Sequence, residues 1–349
     1  MKTKLEEVFK QENQKTYIIA EIGNNFNGNF NLAKKSIDKA KEAGADAVKF
    51  QTFKADEFVA DKNLKFTYQT LEGEEITENQ YDMFKRLELP NEWHKTLFEY
   101  ASSNGIDFFT SAADKNAVDL LIKLKVPAIK VASEDLINVN LLEHMASHKY
   151  PVILSTGMGN SYEIKNAVEI FKKYNSHNLI IMHCVSQYPT PLNHASLKRI
   201  KALSKAFNFP IGYSDHTEGW EAPMLSVAYG ARIIEKHFTL DKSLPGPDHK
   251  MATNPEEFKE LINMVKIAEE TAGEETLNYH KAEEQFRINF RRSIVASKYL
   301  PKGTILQEDM LSYMRPGDGL KPYQKDLVIG KKLKKAIKKS EKILQETVK

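Results

Sequence analysis

The sequence predicts an α/β protein: an eight-stranded parallel barrel of the (β/α)8, TIM-barrel type, followed by a small β-rich domain. Three observations predict it. Between residue 17 and about residue 271, short apolar runs alternate with amphipathic stretches eight times. Most of those runs are nearly continuous in apolar residues, as parallel strands covered on both faces require. Beyond residue 290 the pattern changes to short strands separated by turn residues.

The strands follow in order: "YIIAE" (17–21), "DAVKFQ" (46–51), "DFFTS" (107–111), "AIKVAS" (128–133), "PVILS" (151–155), "NLIIMHC" (178–184), "PIGYS" (210–214) and "RIIEKHF" (232–238). Helical stretches such as "NLAKKSIDKAKEAG" and "SYEIKNAVEIFKKY" lie between them, and Gly44 supplies a helix stop for the first. The long insertion between the second strand and the helix near Trp93 is expected to be a lid or substrate loop. A doubly wound open sheet is the alternative that strand count alone leaves standing. Residues 1–280 form the expected barrel domain, 281–290 a polar linker and 291–349 the β-rich domain, with turns at Pro301-Lys302-Gly303 and Gly317-Asp318-Gly319. So small a domain has a thin core and leans on the barrel or on another subunit.

Composition excludes several functions. Hydrophobic residues make up 41% of the 349 and charged ones 28%, enough for a sizeable core under a polar surface. Fifty basic against 47 acidic side chains leave a net charge of +3, without the clustered excess that nucleic acid demands. The basic run "GKKLKKAIKKSEK" alternates with apolar residues and is expected to be a solvated face. No apolar stretch approaches the ~18 residues of a membrane span. The N-terminal "MKTKLEEVFKQENQK" is too acidic for a signal or transit peptide, and the single cysteine, Cys184, fits a reducing compartment. The expectation is a cytoplasmic protein.

In such a barrel the active site lies where the strands end. Those ends supply Glu21; Lys49 and Gln51; Thr110 and Ser111; Lys130 and Ser133; Ser155 and Thr156; His183 and Ser186; Ser214, Asp215 and His216; Glu235 and His237. Lys49, Lys130 and the serines make a cationic, donor-rich cup suited to phosphate or carboxylate. The competing reading pairs Lys49 with Glu21, and Lys130 with Glu134 or Asp135, as buried structural ion pairs. His216 and His237, on adjacent strand ends with Asp215 and Glu235 beside them, could reach one divalent cation. His94, His144, His148, His177 and His280 are expected at the surface. His194 and His249 lie in loops after strands, and Cys184 is expected in the core. Lys236 should face away from the site and pair with a helix.

Six motifs in order now carry a resemblance: "IIAEIGNNFNGNFNLAKKSIDKAKEAGADAVKFQTF", "ILSTGM", "HCVSQYPTP", "GYSDHTEG", "IEKHFTLDKSLPGPDH" and "MRPGDG". Together they resemble the sialic acid synthase (N-acetylneuraminate synthase) family, from Tyr17 to the end, with a C-terminal domain similar to type III antifreeze protein (the SAF domain). The resemblance implies condensation of phosphoenolpyruvate with an N-acylated mannosamine-type sugar, giving a nine-carbon 2-keto acid and phosphate. It implies that Lys49, Ser111, Lys130, Ser133, Ser155, Ser186 and Ser214 hold phosphoenolpyruvate. His216 and His237 are implied ligands of a divalent metal, manganese foremost, with magnesium or cobalt as substitutes. Gln51, Tyr188 and Asp248 are implied to hold the open-chain sugar. Arg315, in "MRPGDG", is implied to enter the partner's barrel in a domain-swapped homodimer. Glu21 or Glu235 would then handle the water that attacks the substrate.

Three departures bear on the sugar. Ser186 stands where these synthases tend to have asparagine, "ASED" (132–135) replaces "GSGE", and "NFRRS" (289–293) replaces "FAFAS". These changes resemble relatives making legionaminic acid or a spore-coat polysaccharide precursor, while "GPDH" leans away from pseudaminic acid synthases. Two other readings compete: a synthase acting on a shorter aldose phosphate, and a carbohydrate-binding or ice-binding protein on an inactive barrel. The first wants a second phosphate site, and the second has no need of Lys49, Lys130, His216 and His237 together.

Overall fold

The computed structural model describes residues 3–12 and 15–349. It divides into two compact units, one ending at Gly273 and the other starting at Glu274.

The first unit opens with a short helix, α1 (Lys4–Phe9), capped by Thr3 and Glu6. Strands and helices then alternate: β1 (Tyr17–Gly23), α2 (Phe30–Ala43) and β2 (Ala47–Thr52). The insertion follows as α3 (Ala55–Phe58), the antiparallel hairpin β3 (Lys65–Gln69) and β4 (Glu75–Asn79), and α4 (Gln80–Leu87). The expected loop is thus an ordered hairpin. Its period-two pattern packs Phe66 and Tyr68 with Phe53, Phe58, Met83, Phe84 and Leu87 in a cluster of its own. Alternation resumes with α5 (Asn91–Ser103), β5 (Asp107–Ala112), α6 (Lys115–Leu124), β6 (Ile129–Val131), α7 (Val139–Ser147) and β7 (Val152–Ser155). It ends with α8 (Ser161–Lys173), β8 (Leu179–Cys184), α9 (Lys198–Ala206), β9 (Ile211–Asp215), α10 (Glu221–Ala228), β10 (Ile233–His237) and α11 (Pro255–Ala272).

The eight strands close in the order β1-β10-β9-β8-β7-β6-β5-β2, every pair parallel. Closure excludes the doubly wound sheet, whose edges stay open. Ile19, Val48, Phe108, Ile129, Ile153, Ile181 and Ile234 are all fully buried in one core. Each such side chain stabilises the fold by roughly 1.5–3 kcal/mol relative to exposure. The helix ends are chemically set. Asn29 caps α2 by accepting from Asn31 and Leu32, and Gly44 ends it at φ 103°, a left-handed conformation that costs glycine nothing. Asn254 and Glu257 form a capping box on α11, with Pro255 in its first turn. β6 is shorter than expected because residues 133–137 turn into a 3-10 helix, which fixes Ser133 at its start.

The second unit contains α12 (Glu284–Phe290) and the antiparallel pair β11 (Ser293–Ala296) and β12 (Leu311–Met314). Its core is Ile294, Leu300, Leu306, Val328, Leu333, Ile337 and Ile343, with smaller neighbours. In the basic run, Leu333 and Ile337 point inward while the lysines are exposed, or half-buried in Lys331 and Lys342, so the run is a solvated face. The stretch expected as a linker, 281–290, is helical instead: a 3-10 turn leads into α12. Gln285 bonds Asn289 one turn on, and Phe286 stacks on Phe290 at 5.7 Å between centroids, pairs that the polar composition hid. Among the described residues, no helix is long and apolar enough to cross a membrane.

Candidate active site

A cavity of about 520 Å³ opens at the C-terminal ends of the barrel strands. Strand register decides what reaches it. Glu21 on β1 aligns with Lys49 on β2 and with His237 on β10. Glu235 aligns with Ser214, and Ser111 with Lys130. Alternation sends Glu235, His237 and Ser214 into the cavity and Lys236 and Asp215 out of it.

The two lysines meet two carboxylates. Lys49 Nζ lies 2.8 Å from Glu21 Oε2 and donates to Ser111 Oγ at 3.0 Å. Lys130 Nζ donates to Ser155 Oγ at 2.7 Å. Both lysines stand 3.7 Å from Glu235 Oε1, which also accepts from the Ser214 hydroxyl at 3.0 Å. The structural pairing weighed for Lys49 therefore exists, but Lys130 turns to Glu235 rather than to Glu134 or Asp135. All four charges are buried. Burial raises the Glu21 carboxyl to about 7, with Lys49 opposing and Glu235 adding. Burial works the same way on Glu235, yet Lys130, Lys49 and Ser214 outweigh it and hold that carboxyl below its usual range. Two carboxylates in one cavity are thus driven apart in acidity, the pattern that separates a base from a fixed charge.

Beside them, the rings of His216 and His237 lie 5.4 Å apart, and Tyr188 covers His216 at 4.1 Å. His216 Nδ1 donates to the Val185 carbonyl at 2.8 Å, which leaves Nε2 for a ligand. Among the described residues His237 Nδ1, which is buried, has no hydrogen-bond partner, and it lies 3.8 Å from Asp248 Oδ2. Burial, with His216 and the nearby lysines, holds His237 well below the usual histidine range, so its ring is neutral. Glu235 Oε2 also lacks a hydrogen-bond partner among the described residues. An orphaned neutral imidazole next to a second one with a fixed tautomer fits a divalent cation.

Two serines gather at the Gly157 turn. Gly157 N donates to Ser133 Oγ at 3.1 Å. A Cβ at Gly157 would fall 2.4 Å from Ser186 Oγ and 2.6 Å from Ser133 Oγ, so this turn admits only glycine without a shift. Among the described residues Ser186 Oγ has no hydrogen-bond partner. Ser186 is not among the residues that line the cavity, and its hydroxyl lies beside the Gly157 turn. Gln51 donates to Glu21 Oε1 and accepts from Asn24, and Asp248 reaches the cavity through the Pro245-Gly246-Pro247 turn. Burial pushes the Asp248 carboxyl up to about 6. Arg315 belongs to the second unit, where its Nε donates to the Phe290 carbonyl at 3.0 Å.

Several expectations are corrected. Lys236 pairs not with a helix but with Asp215 on β9, at 2.6 Å, and with the Thr217 carbonyl. Asp215 consequently stands outside the histidine pair, bonded to Tyr213 and Thr217 as well. His94 is buried rather than exposed, between Thr52 Oγ1 and the Pro90 carbonyl. His183 faces away from the cavity, bonded to the Ala195 carbonyl and stacked on Tyr213. Thr110 bonds Thr52 and Thr156 bonds the Met182 carbonyl, so neither serves the site. His249 is buried against Thr239. Cys184, expected as core, is buried yet lines the cavity, 3.8 Å from His216 Nδ1. Sequence reasoning missed Asn24 and the hairpin side of the cavity, Phe66, Tyr68, Gln69 and Glu75. The alternation of "KFTYQ" and "EITEN" around Gly73 was the available signal.

The chain matches the NeuB family over residues 36–276 and the SAF domain over residues 291–349. It is 42% identical to the N,N'-diacetyllegionaminic acid synthase of Legionella pneumophila, over 91% of this chain and 90% of that protein. A crystal structure of the N-acetylneuraminic acid (sialic acid) synthetase from Leptospira borgpetersenii superposes with a TM-score of 0.71 at 36% identity, covering 78% of this chain and 90% of that one. The spore coat polysaccharide biosynthesis protein spsE of Bacillus subtilis superposes with a TM-score of 0.64 at 32% identity, covering 96% and 95%.

Proposed function

Because this chain belongs to the NeuB family, we propose that it is a nonulosonic acid synthase joining phosphoenolpyruvate to an N-acylated mannosamine-type hexose. The observation that carries this reading is the convergence of Lys49 and Lys130 on Glu235, beside an unpartnered His237, in one cavity. A trianionic substrate needs such paired cations, and a sugar carbonyl needs an electrophile next to them.

In this reading the phosphate rests on Ser133, whose hydroxyl the Gly157 N–H holds, with Lys130 and Ser155 adjoining and Ser186 close behind the Gly157 turn. The carboxylate faces Lys49, Ser111 and Ser214. A divalent cation on His216 and His237, manganese by resemblance, would supply Lewis-acid polarisation of the sugar aldehyde. Gln51, Tyr188 and Asp248 orient the open-chain sugar so that its aldehyde carbon meets C3 of phosphoenolpyruvate. As the C3–C1' bond forms, positive charge grows at C2, and the ionised Glu235 faces it. Water adds to C2 and Glu21 accepts its proton, for which a carboxyl poised near 7 is suited. The tetrahedral adduct then loses phosphate with the C–O bonding pair while its C2 hydroxyl becomes the keto group and gives its proton to the departing phosphate. Glu21 returns the first proton to the former aldehyde oxygen, and the lysines stabilise the departing charge. Glu21 and Glu235 thereby divide the work that the sequence left to either.

For the acceptor, a 2,4-diacetamido-2,4,6-trideoxyhexose is supported by the legionaminic relative and by the apolar hairpin side of the cavity. Phe58, Phe66 and Phe84 would shelter the methyl groups that such a sugar carries and N-acetylmannosamine lacks. N-acetylmannosamine is the second reading, favoured by Gln69 and Lys250, which could bond a 6-hydroxyl at the same rim. A homodimer in which the partner supplies Arg315, in the cytoplasm, completes the proposal. Phosphate release with phosphoenolpyruvate and manganese, run against both sugars and arabinose 5-phosphate, tests it. Release with an acylated hexose alone supports the reading, and release with the pentose phosphate alone refutes it.

A further inference from the structure

Helices α6 and α7 flank β6 in sequence, and their outer faces carry three potential ligands that the cavity does not use. His144 and His148 are four residues apart, so both imidazoles lie on one face of α7 and its cap. Asp119 on α6 comes up between them. His144 Nε2 is 2.7 Å from Asp119 Oδ1, His148 Nε2 is 3.6 Å from the same oxygen, and the two rings stand edge to face at 4.9 Å. All three ligand atoms fall within 4.8 Å of one another. A carboxylate oxygen already bonded to one imidazole gains little from a second that it does not bond. Two imidazole nitrogens and one carboxylate oxygen around a single point are the donor set of a three-ligand transition-metal site, which closes at about 2.0–2.2 Å from each.

We propose that Asp119, His144 and His148 form a divalent transition-metal site on the outer wall of the barrel, selective for zinc, nickel or copper and completed by water. The inference is independent of the reaction proposed for the cavity. Half-exposed ligands on two helices leave room for water in the remaining positions, so the site takes up and releases its ion reversibly. Imidazole-rich ligation favours later first-row ions over manganese, which keeps this site chemically apart from the cavity metal. An ion held there ties α6 to α7, the helices before and after the strand that carries Lys130. Because the unfolded chain does not hold the three groups together, binding stabilises the native state.

The full-length protein, stripped of metal, is titrated with zinc by equilibrium dialysis and melted with and without it. The same is done for His144→Gln/His148→Gln and for Asp119→His, none of which touches the cavity. The site predicts one zinc equivalent more in the parent than in the double glutamine variant. It also predicts that the zinc-dependent part of the Tm rise due to this site disappears in that variant, whose metal-free Tm stays near the parent's. Asp119→His should keep the extra equivalent and bind it at least as tightly, because a third imidazole replaces the carboxylate. Equal stoichiometry and equal zinc-induced shifts in parent and double variant would overturn the proposal.

Discussion

Lys49 Nζ stands 2.8 Å from Glu21 Oε2, on the neighbouring strand and almost fully out of water. A buried pair of this kind contributes little net stability, but removing one partner strands the other. Lys49→Met should therefore destabilise the fold by ~3–5 kcal/mol, because Glu21 and Glu235 lose a common counter-charge. Lys49→Met/Glu21→Gln should recover most of that loss while remaining inactive. Urea denaturation of the three proteins, beside phosphate release, checks both halves. Equal stability of the two variants would place the Lys49 charge outside the Glu21 pair.

The base role proposed for Glu21 predicts a pH dependence. Its carboxyl titrates at about 7, raised by burial. A base must be ionised to accept a proton, so activity should rise with pH up to that value and level off above it. Below 7, kcat/KM should change about tenfold per pH unit. Glu21→Gln should lower the rate and remove this limb. A pH profile of both proteins, with stability checked at each pH, measures it.

The turn at Gly157 predicts a substrate-specific defect. A Cβ there would collide with the hydroxyls of Ser133 and Ser186, at 2.6 and 2.4 Å. Gly157→Ala should raise KM for phosphoenolpyruvate roughly tenfold or more, the effect of displacing a charge-assisted hydrogen bond of ~1.5–3 kcal/mol. KM for the sugar should change little. Steady-state kinetics with each substrate varied in turn separates the two.

The barrel was legible because buried parallel strands are continuous apolar runs, and polar residues at their ends are conspicuous. Glu21, Lys49, Glu235 and His237 could be found that way. The Lys49–Glu21 pair could be found as well, but the pairing of Lys130 with Glu235 could not, because alternation puts Lys236 and Asp215 outside and the stagger of the closed sheet brings Glu235 between both lysines. His94 looked like a surface residue since its helix is polar, and only the fold supplies Thr52 as its partner. The helix at 284–290 was hidden for a different reason: its stabilising pairs, Gln285–Asn289 and Phe286–Phe290, are local and weak in composition.

Subunit exchange tests the contribution proposed for Arg315. Lys49→Met and Arg315→Ala should each be inactive alone. If Arg315 acts in the partner's barrel, a mixed dimer pairs the intact barrel of one chain with the intact arginine of the other. An equal mixture, exchanged to equilibrium, should regain about a quarter of parental activity, since half the dimers are mixed and each has one complete site. No recovery despite exchange would mean that Arg315 acts in its own chain.

The order of events at C2 is tested most directly by phosphoenolpyruvate labelled with heavy oxygen at the bridging position. It is turned over with manganese and the 2,4-diacetamido-2,4,6-trideoxyhexose, and phosphate and keto acid are analysed by mass spectrometry. Water addition at C2, with Glu21 as base and the lysines receiving the departing charge, predicts that the label leaves with phosphate. Phosphate free of label, with the heavy oxygen retained at C2 of the product, would contradict it.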